Sequence, residues 1–392
     1  MPFTRRNILR LSTSGIAAGA LSALGCSRSA PDSAGRVAGA AWEEGIADLE
    51  MRVRRSMDTH QVPGVSIAVI RGGRIAWTGF FGVRDSTTGV PVDDSTVFSA
   101  QSMSKPVFAY RVMKLCEQGT LDLDAPLTRY TRDTFVRDDD RLSEITARRV
   151  LSHTTGLPNW RSGSDPLRID FAPGSKWSYS GEGYYYLQSI VSQLTGNIDE
   201  TRCETFEADY RVCASDFAVY METNLLRPFG MMSSGYSLTT EIQRAVASAH
   251  DASGRSLPQP PTISAAAIAR YGSSGALMTT ATDYARFLIE IMQPKPPDSY
   301  RLNEASRREM LMPQIEAMTS PFKTSWALGW SVWHLQEGDV LAHGGDLHGW
   351  HSQSVFSPER RTGFVILTNG EGGSALIWTD LLETLLERVV FA

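Results

Sequence analysis

The chain has 392 residues, 42% of them hydrophobic and 21% charged, with a formal net charge of -5. That is enough apolar material for a sizeable core, in one large domain or two to three ordinary ones. No stretch interleaves Lys and Arg with aromatics, which argues against nucleic acid as a partner. Of 38 basic residues only five are lysines, so a lysine with work to do as a neutral amine stands out, because arginine does not release its proton in a protein.

The N-terminus reads as an address. Thr4-Arg5-Arg6-Asn7-Ile8-Leu9-Arg10 resembles a twin-arginine export signal, and the apolar run from Leu11 to Leu24 follows it. That run is too short to cross a hydrocarbon core of ~30 Å as a helix, which favours a signal peptide (1–26) over an anchor. Gly25-Cys26 resembles a lipoprotein cleavage site, with Cys26 acylated and tethered to a membrane; cleavage at Ala38-Gly39-Ala40 is the alternative. Residues 27–41 read as a flexible linker and 42–392 as the catalytic unit.

From Trp42 to Met57, apolar residues at helical spacing predict a helix. Val62 to Val69 and Ile75 to Phe81 read as strands joined by the turn Arg71-Gly72-Gly73-Arg74, an antiparallel hairpin. From about 102 to 265 the period is mostly helical, with a further helix ending near Met292. Strands are expected at Leu328–Trp333, Val340–His343, Gln353–Phe356 and Phe364–Leu367, then a helix from Leu376 to Val389. The fold expected is therefore α/β (α+β): an antiparallel sheet built from both ends of the chain and flanked by terminal helices, with a mainly helical subdomain inserted. Cys203 and Cys213 flank a polar insertion and are either a short disulfide loop or two thiols; Cys116 reads as a small core residue.

Three constellations carry chemistry. In Ser102-Met103-Ser104-Lys105, three-residue spacing on a helix lets the Ser hydroxyl meet the Lys amine. A lysine base there needs its pKa brought from about 10.4 toward 7. The same spacing recurs at Ser320-Pro321-Phe322-Lys323, but only Lys105 is followed by an apolar helical run. In Pro173 to Tyr184, Tyr179 is placed to relay a proton, with half-buried packing as the plainer reading; Glu182 reads as a solvated loop carboxylate more readily than as a base. His343-Gly344-Gly345-Asp346 ends a strand. Its glycines permit close approach of a substrate, and its N–H groups suit an oxyanion. His343 is expected to offer a polar or positive group. His348 and His351 lie nearby, but the spacing fits no zinc pattern. Neither metal nor cofactor is expected.

Taken together and in this order, these residues resemble the serine β-lactamase and penicillin-recognising family, in its class C-like branch with D-alanyl-D-alanine carboxypeptidases, D-aminopeptidases and esterases. Pro63 to Val69, Phe98 to Lys105, Leu151 to Pro158, Arg227 to Met231 and Gly329-Trp330 support the likeness, which runs from about Gly45 to the C-terminus. The resemblance implies acylation of Ser102, with Lys105 and Tyr179 sharing the proton and the N–H groups of Ser102 and Asp346 holding the oxyanion. It also shows two departures: Gly181 stands where the second motif usually ends in Asn, and His343 where the third usually begins with Lys.

The expected function is extracytoplasmic hydrolysis of an amide, peptide or lactam through Ser102, on a small-molecule or peptide substrate. A carboxylesterase on the same site is the alternative. A penicillin-binding or sensor protein that does not hydrolyse is the alternative of another class. No Gly-x-Ser-x-Gly elbow is present, which disfavours an unrelated esterase fold.

Overall fold

The computed structural model describes residues 33–131, 135–161, 166–196, 203, 206–207, 212–258 and 264–392. The expected signal peptide, with Cys26, lies outside them. Helix α1 (Ser33–His60) begins inside the stretch expected as a linker. Its Ala-rich opening has high helix propensity, which a reading based on small polar character overlooks.

The hairpin follows as β1 (Gly64–Arg71) and β2 (Arg74–Gly82). Short β3 (Phe98–Ser99) leads through the turn 101–103 into α2 (Ser104–Glu117). Then come α3 (Ala147–Leu151), α4 (Gly181–Thr195), β4 (Phe206–Glu207), β5 (Val212–Cys213), α5 (Ala214–Met221) and α6 (Thr240–Ala245). Residues expected as a glycine-rich approach and one helix form α7 (Ala265–Gly275), β6 (Met278–Thr279) and α8 (Ala281–Met292). Helix α9 (Glu304–Leu311) precedes β7 (Ile315–Met318), β8 (Thr324–Trp326), β9 (Ser331–Leu335), β10 (Gly338–Leu347), β11 (Trp350–Ser357) and β12 (Thr362–Thr368). A C-terminal helical segment occupies 373–390.

Eight strands form one antiparallel sheet in the order β2-β1-β12-β11-β10-β9-β8-β7, so the two ends of the chain meet where Val65 pairs with Thr368. Strand β1 is buried on both faces, and its alternation sorts the core. Val65, Ile67 and Val69 pack with Leu49 and Val53 of α1 and with Leu381 and Leu385 near the C-terminus; Ala68 and Ile70 face the larger core shared with α2, α4 and α8. The fold class agrees with the expectation. One strand differs: Leu328 to Trp330 form a tight turn closed by Ala327 N–H donating to the Trp330 carbonyl (2.7 Å), and the strand starts at Ser331. Their apolar character reflects burial beneath α2 and α9, not strand alternation. Cys203 and Cys213 are joined by a disulfide, with Cα atoms 5.9 Å apart, and Cys116 is half-buried on α2.

Candidate active site

Ser102 sits in the tight turn that leads into α2, one element earlier than a helical reading would put it. Gln101, just before it, holds a left-handed φ of 49°, a conformation that costs energy for a residue with a Cβ and recurs at functional turns. Ser104 fixes the turn: its hydroxyl donates to the Gln101 carbonyl (2.7 Å) and accepts from Leu277 N–H (3.0 Å). Tyr284 donates to the Met103 carbonyl (3.0 Å).

Lys105 lies in the first turn of α2, 1% exposed. Its Nζ is 3.2 Å from Ser102 Oγ and 2.8 Å from the Ser274 carbonyl oxygen at the end of α7. It also rests 4.8 Å from the centre of the Tyr179 ring. Burial pulls its pKa from 10.5 to about 7. Tyr179 lies just before α4. Burial raises its phenol above the ordinary value, and a hydrogen bond with Ser102 opposes that rise.

The loop that carries Tyr179 is built on residues 153–159. Ser178 N–H donates to the His153 carbonyl, and Ser180 N–H to His153 Nδ1 (3.0 Å), so the His153 proton is on Nε2. The His153 ring packs against that of Tyr179, with centroids 4.2 Å apart and planes tilted by 32°. Gly181 N–H and Glu182 N–H both donate to the Asn159 carbonyl, and Gly181 N–H also reaches Asn159 Oδ1 (3.0 Å). Ser180 caps α4 by accepting from Gly183 N–H (2.9 Å).

Glu182 is a correction. It is neither solvated nor in a loop: it lies in the first turn of α4, wholly buried, and accepts from the Arg161 guanidinium at 3.1 and 2.9 Å. The helix N-terminus favours its charge as well.

His343 takes the polar one of the two forms expected of it. It donates from Nδ1 to the Gly344 carbonyl (2.7 Å), and burial, then repulsion from Lys105, pull it down to about 3. The imidazole is therefore neutral, and Nε2 is a buried acceptor, not a positive group. His153 is held neutral by the same causes in the same order. Of the three bases gathered here, Lys105 keeps its proton to the highest pH.

Strand β10 brings the Gly344-Gly345 pair against the turn that carries Ser102. A Cβ on Gly345 would lie 2.3 Å from the Ala100 carbonyl oxygen, so only glycine allows this approach. Ser352 Oγ donates to the same carbonyl (3.1 Å). Ser102, Tyr179, His343, Gly344, Gly345 and Asp346 line one cavity of about 430 Å³. Gly181 does not line it but borders Trp160, whose ring packs edge-on to Tyr271 at 5.0 Å. The second Ser-x-x-Lys falls in the turn between β7 and β8, where exposed Lys323 pairs with Glu316 at 2.6 Å. His348 pairs with Glu371, and His351 with Asp346.

Sequence reasoning missed four contributors to this site: His153, Asn159, Trp326 and Trp378. The last three line the cavity, and His153 backs Tyr179. His153 and Asn159 were within sight, because the Leu151 to Pro158 phrase runs directly to Asn159. Trp326 and Trp378 carry no local signal.

Residues 49–383 match the family profile described as Beta-lactamase. The human protein "Putative beta-lactamase-like 1" is 25% identical over 355 residues, a match covering 84% of this chain. The chain spans 65% of that relative, less than two thirds of its length. The octameric penicillin-binding protein homologue from Pyrococcus abyssi shares the fold with a TM-score of 0.70 at 22% identity, over 87% of this chain and 77% of that one. D-alanine carboxypeptidase AmpC from Burkholderia cenocepacia gives 0.65 at 18% identity, over 86% and 99%.

Proposed function

The chain belongs to the beta-lactamase family, and we propose that it is an extracytoplasmic serine hydrolase whose nucleophile is Ser102. The observation that carries the reading is Lys105 Nζ at 3.2 Å from Ser102 Oγ, buried and with a pKa of about 7. A neutral amine at that distance takes the hydroxyl proton as Oγ attacks the carbonyl carbon of an amide, peptide or lactam. The N–H groups of Ser102 and Asp346 hold the oxyanion. Tyr179, in contact with both Ser102 and Lys105, gives its phenol proton to the leaving nitrogen as the bond from nitrogen to carbon breaks, and takes back from the Lys105 ammonium the proton that came from Ser102. Water then cleaves the acyl-enzyme and restores the Ser102 hydroxyl. The leader (1–26), with Cys26 or Ala38-Gly39-Ala40 as the processing point, supports export.

A carboxylesterase on the same residues is the second reading. What favours it is the cavity lining, which includes no Lys or Arg among the described residues. The test treats the purified protein with fluorescent penicillin, a chromogenic cephalosporin and a short-chain nitrophenyl ester, each beside Ser102→Ala. Stable penicillin labelling without turnover would support a binder; ester cleavage alone would support the esterase. Activity surviving in Ser102→Ala would remove Ser102 from the mechanism.

A further inference from the structure

The cavity does not end at the nucleophile. The ladder between β9 and β10 stops where Ser331 meets Ala342, whereas β10 goes on pairing with β11 as far as Leu347. From His343 to Leu347, the edge of β10 that faces away from β11 therefore has no strand partner among the described residues. Alternation along β10 places Gly345 against the nucleophile turn and turns Gly344 and Asp346 to the opposite face. On that opposite side the same cavity is closed by Trp333, Ile377 and Trp378, the two indoles 5.5 Å apart. Its lining thus takes in a free strand edge, Ser102 and an aromatic wall. Its volume of about 430 Å³ falls within the ~300–1,000 Å³ usual for small-molecule sites.

The lining carries one carboxylate, Asp346, with His351 beside it at 3.0 Å. Among the described residues it contains no Lys or Arg. Asp346 stands at its rim as a carboxylate whose side chain is 77% exposed. His343 is neutral and offers only a lone pair. An anion laid across the edge would meet the Asp346 carboxylate and no Lys or Arg, while an apolar group would reach two indoles and a buried isoleucine.

We propose that the substrate arm crossing the β10 edge is uncharged and apolar, an aryl or branched alkyl group seated against Trp378 and Ile377, and that a carboxylate on that arm is discriminated against. The proposal rests on the reading of Ser102 as nucleophile and adds the class of substrate.

Boronic acids add reversibly to a serine hydroxyl, so they test it without turnover. Binding of a 2-phenylethyl boronic acid and a 2-carboxyethyl boronic acid is measured by calorimetry on the wild-type protein, Ser102→Ala, Trp378→Ala and Trp378→Phe. The phenylethyl compound is expected to bind at least about tenfold tighter, as burial of an aromatic arm implies. Trp378→Ala should shrink that ratio several-fold, and Trp378→Phe should restore most of it; a ratio is insensitive to partial loss of folded protein. Equal or tighter binding of the carboxyethyl compound, or a ratio unchanged in Trp378→Ala, overturns the proposal. Binding that is absent from the wild type, or the same in Ser102→Ala, instead overturns Ser102 as the nucleophile.

Discussion

The indole of Trp160 occupies the space in which a side chain on residue 181 would begin. A Cβ on Gly181 would lie 2.4 Å from Trp160 and 2.8 Å from the Asn159 carbonyl oxygen. Glycine here is thus matched to a local arrangement in which Asn159 and Trp160 fill the position. Gly181→Asn is expected to lose stability by roughly 1–3 kcal/mol, the usual cost of overpacking, and to gain no lactam hydrolysis. Urea unfolding and cephalosporin turnover check both halves. An unchanged midpoint with faster lactam turnover would show that the glycine is no obstacle.

In the proposed mechanism, the protonation of Lys105 sets the pH profile. With its pKa at about 7, the neutral base is a minority below that pH. The kcat/KM is expected to rise about tenfold per pH unit up to that point and then level off. His343, at about 3, and His153, held well below its ordinary value, do not titrate across this range. A single ascending limb therefore belongs to Lys105. A flat profile between pH 5 and 9 would rule it out as the base.

The same shift bears on stability. The folded pKa of Lys105 lies below the unfolded value of 10.5, so between about 7 and 10.5 the unfolded chain binds the extra proton. Stability from this group therefore rises with pH through that window, and its full cost is felt below 7. Lys105→Met is expected to abolish activity and raise stability at pH 6 by on the order of 2 kcal/mol, after allowing for the Ser274 carbonyl left without its donor. Thermal melts at pH 6 and pH 9 check the sign: the gain should be smaller at pH 9.

Glu182→Ala leaves Arg161 facing a buried site without that carboxylate. Removing one member of such a pair typically costs about 3 kcal/mol or more. Because Arg161 holds Glu182 in the first turn of α4, directly after Tyr179, activity should fall together with stability. Guanidinium unfolding of Glu182→Ala beside Glu182→Gln separates the two: the amide keeps the shape and should retain more activity than the alanine.

What could be read from the sequence was local. Ser102 and Lys105 are three residues apart, and the run of apolar residues after Lys105 identifies the supporting helix without knowledge of the fold. The hairpin and the last strands were legible for the same reason, since alternation is written in neighbouring residues. Glu182 was misread because its partner Arg161 lies 21 residues upstream, and no pattern links them. The sequence left His343 either polar or positive, because the burial and the nearby lysine that lower its pKa arise only when β10 meets α2. Trp326 and Trp378 come from the far edge of the sheet and the C-terminal segment, and only topology brings them to one cavity.

The pairing of β1 with β12 bears on when this protein can first exist as a folded object. Strand β1 precedes its sheet neighbour β12 by most of the described chain. These closing contacts are strongly non-local, and such contacts pay their loop entropy before they return any stability. Until residues 362–368 are made, β1 and β11 each present a bare hydrophobic edge open to adventitious pairing. A chain that still lacks β12 must therefore be shielded at these edges. A truncation before Thr362 should accumulate as aggregate, not as a smaller working enzyme.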